Sequence, residues 1–392
     1  MKIGLFTDTY YPQINGVATS VLILKENLET LGHQVYVFTT TDPNATKNER
    51  NVYRMPSIPF ASARRLGMFY HPGLVKFING LALDVIHTHT EFSLGVFGRF
   101  MARKLNIPLL HTYHTIYEDY THYIVKFKIF DFIAKNTARK ISANFCNSVD
   151  KVIVPTEKVK QLLRSYKVKQ HISVIPTGIE LSKFSAFNKS SMEVKKLRND
   201  LNIREKDRVL LYIGRISEEK NIEELLLSMK PLLISNGDIK FLLIGDGLEK
   251  NNLEELSKKL GIYNHTIFAG EKPWDSIGKY YQLGDVFVSA SQSETQGLTY
   301  IEALASGLPV VAKADPCLDG VIQNDVNGYT FLGKDDFLQS INKILYNESN
   351  KELMSMGAVQ SVEKFSAIHF ALAVEAMYHN VLIEWKNYHN VS

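Results

Sequence analysis

The sequence predicts an α/β protein made of two doubly wound, parallel-sheet domains. Three observations carry that expectation. Short β-rich runs recur along the chain with helical stretches between them, the pattern of repeated βαβ units. The pattern lapses over Thr177–Asp207, where polar residues dominate, and then resumes as a second series of similar size. The length of 392 residues suits two or three domains.

The elements follow in order. Ile3–Thr7 reads as a short buried strand. Val17, Val21, Leu24, Leu28 and Leu31 then fall at helical spacing, and Gly32 ends that helix as a cap. Gln34–Thr39 is β-rich and completes the first βαβ unit. Further strands are expected at Asp84–His87, Pro108–His111, Lys151–Val154 and Ile172–Ile175. The polar stretch, with Asn188-Lys189-Ser190-Ser191, suits an interdomain crossing. The second series has strands at Val209–Ile213, Lys240–Ile244, Thr266–Phe268, Asp285–Ser289 and Pro309–Ala312. Its helices are expected at Ile222–Leu233, Lys250–Leu260, Trp274–Leu283 and Leu298–Ser306. Ala367–Trp385 reads as a helix that packs back on the first domain. The expected boundaries are 1–180, 181–366 and 367–392, with the two doubly wound domains facing across a cleft.

Composition narrows the class. With 45% hydrophobic and 22% charged residues, a disordered or fibrous chain is excluded. Two cysteines, Cys146 and Cys317, make neither a disulfide framework nor a zinc site, which suits a reducing cytoplasm. The apolar start Met1–Phe6 is stopped by Thr7 and Asp8, too soon for a signal peptide. No run approaches the ~18 apolar residues of a membrane span, so a soluble or peripheral protein is expected. Residues 1–180 hold 22 basic and 13 acidic side chains; the remainder holds 23 and 28. That asymmetry has two readings, an anionic partner for the first half or ordinary surface variation.

Ligands of doubly wound sheets bind at the carboxyl ends of strands, so the turns there hold the candidates. Asn15-Gly16-Val17 joins the first strand to the first helix. Gly16 lets a ligand approach the backbone near a helix N-terminus, or it serves only the turn. Gly214-Arg215-Ile216-Ser217-Glu218-Glu219-Lys220 follows the first strand of the second series. Arg215 as a fork and Lys220 as a point charge suit a diphosphate; the alternative is a solvated surface pair. Gly245-Asp246-Gly247 fits close approach to a base or ribose, or a tight turn. Glu294-Thr295-Gln296-Gly297-Leu298 precedes and opens a helix that carries Glu302. Two carboxylates eight positions apart, one in the loop and one on the helix, can grip two hydroxyl-bearing parts of one ligand while the intervening amides hold its phosphates. Glu302 alone also reads as an acid favouring the helix dipole.

This array resembles family 4 of the retaining glycosyltransferases, which have the two-domain GT-B fold, and the resemblance covers essentially the whole chain. Glu294 and Glu302 match the family's E-x7-E motif, and Gly214, Arg215 and Lys220 match its G-R-x-x-x-x-K motif. Within the family, Thr7–Ser20, His87–Ser93, His111–Thr115 and Asp119–Tyr123 look like the diacylglycerol glucosyltransferases, which move glucose from UDP-glucose to diacylglycerol with an α linkage in glycolipid synthesis. The resemblance implies that Arg215 and Lys220 bind the donor diphosphate, Glu294 the sugar hydroxyls and Glu302 the ribose. It implies that Gly16 lines the phosphate side, that Gly245, Thr295, Gln296, Gly297 and Leu298 also serve the donor, and that His114 is the active-site histidine near the sugar. His87 and His89 form an H-x-H pair without a third ligand, which reads as satisfied strand-end histidines rather than a metal site. No D-x-D triplet occurs, so no metal or other cofactor is expected, although Mg²⁺ stimulation is compatible with the motifs. No nucleic-acid partner is expected.

Ile124–Lys135 is apolar with interspersed lysines, and Lys126, Lys128, Lys135, Arg139 and Lys140 flank the apolar face. That is the pattern of a helix on an anionic membrane surface, each cation contributing roughly 1 kcal/mol; the other reading is domain core. A lipid acceptor favours the membrane, and so a cytoplasmic enzyme peripheral on the inner face of the cell membrane. The competing functions are a family member with another sugar donor or a soluble or polymer acceptor, a non-catalytic partner of another transferase, and a nucleotide-dependent oxidoreductase. The last lacks its G-x-G-x-x-G.

Overall fold

The structure, a computed structural model, describes residues 1–13, 15–46, 49–60, 64–67, 72–118, 128–185 and 190–390. It divides into an N-terminal unit, Met1–Gly178 with Ala367–Ser392, and a C-terminal unit, Ile179–Ser366.

The N-terminal unit runs β1 (Lys2–Phe6), α1 (Gly16–Thr30), β2 (Gln34–Thr40), β3 (Val52–Met55), β4 (Ser57–Phe60), β5 (Arg64–Gly67), α2 (Pro72–Leu81), β6 (Val85–Thr88), α3 (Ser93–Leu105), β7 (Leu109–Thr112), α4 (Lys128–Cys146), β8 (Lys151–Val154), α5 (Glu157–Ser165) and β9 (Ile172–Val174). Seven strands form one parallel sheet in the order β3-β2-β1-β6-β7-β8-β9, while β4 and β5 pair antiparallel. Alternate residues of β1 serve opposite faces. Ile3 and Leu5 pack with Val21, Leu24 and Leu28 of α1, and Phe6 packs with Phe38 and Phe97 on the other side. Both faces are covered, so the strand reads as a continuous apolar run. Asn15 starts α1 by accepting from the Ala18 amide at 2.9 Å.

The C-terminal unit runs α6 (Ser182–Ser185), α7 (Met192–Asp200), β10 (Arg208–Ile213), α8 (Ile222–Ser235), β11 (Ile239–Ile244), α9 (Lys250–Lys259), β12 (Thr266–Phe268), α10 (Ile277–Tyr281), β13 (Val286–Ser289), α11 (Leu298–Ala305), β14 (Val310–Lys313), β15 (Gly328–Phe331), α12 (Lys334–Leu345) and α13 (Glu348–Ser361). Its parallel sheet has the order β12-β11-β10-β13-β14-β15. Strand order therefore reverses between β10 and β13, which opens a crevice at their carboxyl ends. Leu211, Ile213, Leu242 and Phe287 face one core, and Leu210, Tyr212, Phe241 and Val288 face the other. Each such buried side chain contributes roughly 1.5–3 kcal/mol.

From Ile179 onward the polar crossing belongs to this unit. Phe184, Val194 and Ile203 are buried in its core and anchor the polar stretch. The division falls at Gly178, two residues before the expected 180, because Ile179 is buried in the C-terminal core and pairs with Ser366. The last helix, α14 (Ala367–Asn390), lies on α1 in the N-terminal unit, burying Phe370, Ala371, Val374 and Tyr378. Polar bonds add to that apolar seam: His33 to Glu375 at 2.7 Å and Lys151 to Glu384 at 2.7 Å.

Candidate functional site

The C-terminal site is built where β10 ends. The Gly214 amide donates to the Ile244 carbonyl at 3.0 Å, and the buried Tyr212 hydroxyl donates to the Arg215 carbonyl at 2.9 Å. These bonds fix the turn while the Arg215 guanidinium stays half exposed, 4.0 Å from Glu219. Lys220 closes a short 3₁₀ turn, Glu218–Lys220, and its Nζ lies 2.5 Å from Glu294 Oε1. Both side chains of that pair are mostly buried, at 16% and 19% exposure, so the pair is shielded from salt more than a surface pair. Gly245 has φ +146°, and a Cβ there would lie 1.9 Å from the Gly214 carbonyl oxygen. Only glycine lets these two turns touch.

The loop after β13 carries Glu294 and Thr295, both partly buried, and the buried Gln296. Gly297 turns it into α11 with φ +74°, where a Cβ would fall 2.3 Å from the Tyr300 ring. Leu298 is the first residue of α11; its N-cap, Gly297, has no side chain, and its first turn holds no acid. The backbone dipole there favours an anion. Glu302, one turn on, is buried and accepts from the Tyr281 hydroxyl of α10 at 2.6 Å. Burial raises its pKa to about 7, and the Tyr281 bond opposes that rise only in part. The structure thus brings Lys220 to Glu294 and Gly245 to the Gly214–Arg215 turn, while Glu302 engages a different partner.

In the N-terminal unit, strand order reverses between β1 and β6. Gly16, the exposed first residue of α1, follows a turn whose Asn15 side chain also donates to Thr9 Oγ1 at 2.7 Å. That turn already serves the helix cap. His114 follows β7, is partly exposed, and lies with Nε2 3.0 Å from His89 Nδ1. Burial, with His111 nearby, lowers the His114 pKa to about 3, so the ring is neutral. His87 is satisfied, by the Tyr378 hydroxyl at 2.7 Å and Thr112 Oγ1 at 2.7 Å. The expectation of a satisfied histidine fails for His89, whose Nε2 is buried with no hydrogen-bond partner among the described residues.

Of the basic residues on the apolar segment, Lys126 lies outside the described residues, and Lys128 begins α4 with its side chain not described. Lys135 pairs with Asp131 at 2.8 Å and Arg139 with Glu118 at 2.5 Å, so both cations are partly neutralised. Lys140 is exposed. Phe132, Ile133 and Ile141 are exposed at 71%, 58% and 50%, while Ala143, Phe145 and Cys146 enter the core. The apolar outer face of α4 is therefore not core.

Sequence reasoning missed three polar residues. Tyr281 gives no local signal, lying 21 positions before Glu302. Asp8 is buried at the N-terminus of α3, accepting from Thr90 Oγ1 at 2.6 Å and the Leu94 amide at 3.1 Å. Burial raises its pKa. Glu91 accepts from the Tyr117 hydroxyl and lies 3.2 Å from His111 Nε2. Among the described residues no three His, Cys, Asp or Glu side chains converge to hold a metal ion, and no helix is long and apolar enough to cross a membrane.

Residues 14–183 match the family model Glycosyltransferase Family 4, and residues 193–359 match Glycosyl transferases group 1. The chain is 41% identical to an alpha-monoglucosyldiacylglycerol synthase of Streptococcus pneumoniae, over 98% of this chain and 86% of that one. It is 37% identical to a synthase of the same name from Acholeplasma laidlawii, over 96% of each chain. The crystal structure of Anabaena HepE in complex with UDP matches with TM-score 0.77 at 19% identity, over 97% of this chain and all of that one. The two parallel-sheet units are those of the GT-B fold. With both halves matched and near-full-length similarity to the synthases, the chain belongs to glycosyltransferase family 4 and is a hexosyltransferase.

Proposed function

We propose that this enzyme transfers glucose from UDP-glucose to diacylglycerol with retention of configuration, forming α-monoglucosyldiacylglycerol at a membrane surface. The observation that carries the reading is the Lys220–Glu294 pair, joining the turn that carries Arg215 to the loop that opens α11 with no acid in its first turn, at the point where strand order reverses. The names of the synthases from Streptococcus pneumoniae and Acholeplasma laidlawii support the acceptor and the sugar, and the UDP held by Anabaena HepE supports the nucleotide.

Bond cleavage between sugar C1 and the diphosphate builds charge on the leaving oxygen. Arg215, Lys220 and the Leu298 amide end of α11 stabilise it where it develops. The Lys220 ammonium has three N–H donors, so it holds Glu294 and a phosphate oxygen together. Glu294 grips sugar hydroxyls and Glu302 the ribose; Gly245, Thr295, Gln296 and Gly297 offer close backbone. Gly16 serves a phosphate oxygen and His114 a sugar hydroxyl. The acceptor hydroxyl attacks C1 from the face the diphosphate leaves, and its proton passes to the leaving phosphate oxygen. These residues supply the positive charge from the chain itself, and turnover is independent of added metal.

Phe132, Ile133 and Ile141 enter the lipid interface, with Lys140 over anionic headgroups, and the enzyme is peripheral on the membrane. The test is product analysis by mass spectrometry with a panel of UDP-sugars and diacylglycerol vesicles. A glucosyl product of diacylglycerol is expected. UDP release with a soluble acceptor and none with vesicles would reject the lipid acceptor.

A further inference from the structure

The histidine group at the carboxyl ends of β6 and β7 contains a buried nitrogen that no described residue satisfies. His89 Nδ1 and His114 Nε2 face each other at 3.0 Å, with the ring centroids 5.3 Å apart and the ring planes within 25° of each other, so the two rings meet nearly edge to edge. Burial holds both rings neutral, His89 well below the usual imidazole range and His114 at about 3. One of the two facing nitrogens therefore carries a hydrogen and the other is bare. If His114 donates, the proton of His89 moves to Nε2, which is buried and has no partner. That strands an N–H donor, a rare and costly arrangement. If His89 donates, Nε2 is a bare lone pair and no N–H is orphaned.

We propose that His89 is a positioning residue, donating its Nδ1–H to His114 Nε2 and so leaving the proton of His114 on Nδ1. This inference rests on the assignment of His114 to the sugar. It deepens that assignment by fixing the chemistry on offer. Nε2 is taken by His89, so Nδ1–H is the nitrogen left for a ligand. It donates to a hydroxyl or phosphate oxygen and takes up no proton, which makes His114 a hydrogen-bond donor to the substrate and not its general base. His87 is outside this relay, because both its nitrogens bond elsewhere.

The test reads the tautomer directly. Full-length protein with isotope-labelled histidine is examined by two-bond nitrogen–proton NMR, with His114 assigned through His114→Gln. A protonated Nδ1 and a bare Nε2 on His114 are expected. A proton on Nε2 in the wild-type protein overturns the proposal. His89→Phe should release His114 into a mixture of tautomers, and His89→Asn, which keeps an N–H near the same place, should retain the Nδ1–H form. An unchanged tautomer in His89→Phe overturns the role of His89. In turnover, His89→Phe should lower kcat about tenfold with KM little changed, and His89→Asn should recover most of that loss. Absence of turnover with UDP-glucose in every variant speaks against the donor assignment, while the tautomer still decides this one.

Discussion

Replacing Glu302 by Gln keeps the side-chain length and an oxygen that accepts from Tyr281, but removes the titratable group. In the folded chain that carboxyl titrates near pH 7, against an ordinary 4.5. The interval between those values corresponds to about 3 kcal/mol. The folded chain holds the proton more tightly, so this stability is fully present below pH 4.5 and is lost as pH rises through about 7. The assay needs a signal from the C-terminal unit alone. The chain has two tryptophans, and Trp385→Phe leaves Trp274, which lies in that unit. In this background, urea unfolding followed by Trp274 fluorescence between about pH 5 and pH 8 should show the parent losing about 2.5 kcal/mol relative to Glu302→Gln, the part of the interval that lies above pH 5. Stability curves that run parallel across the range would refute the reasoning, because they would mean the carboxyl is already ionised when folded.

Lys220→Ala should weaken UDP binding about 10- to 100-fold, the loss of a charged hydrogen bond of roughly 1.5–3 kcal/mol, in calorimetric titration. Equal losses of thermal stability and turnover would contradict a binding role. Gly245→Ala should lower the stability of the C-terminal unit by roughly 1–3 kcal/mol in thermal unfolding, since its Cβ meets backbone and not a flexible side chain. An unchanged Tm would show that the turn relaxes freely. Phe132→Ser with Ile133→Ser should reduce flotation with anionic vesicles and leave UDP affinity intact; Lys140→Glu should do the same more weakly and only at low salt.

Much of the fold is legible because the central strands are covered on both faces. β1, β10, β11 and β13 read as apolar runs for that reason. Of the four edge strands of the two parallel sheets, β9 and β12 show the apolar pattern and β3 and β15 do not. β3 is only partly buried at Val52, Tyr53 and Arg54, and β15 begins with Gly328, so neither shows the pattern. The polar stretch reads only as an interdomain crossing because Phe184, Val194 and Ile203, which anchor it, are widely spaced among charges. At the site, residue types and spacing expose Arg215, Lys220, Glu294 and Glu302, but pairing across 74 positions is set by the sheet. Tyr281 and His89 act through the direction of one hydroxyl and one ring nitrogen. No local spacing encodes either.

The return of α14 makes the C-terminal unit an insertion within the N-terminal one, entered and left at the Ile179–Ser366 bridge. A ribosome therefore delivers every residue of the inserted unit before it delivers the last helix of the host. Until that helix emerges, the outer surface of α1 and the ring of His87 lack Phe370, Val374 and Tyr378. A nascent chain arrested before residue 367 would carry one finished unit and one with a bare apolar side, the kind of intermediate that chaperones hold.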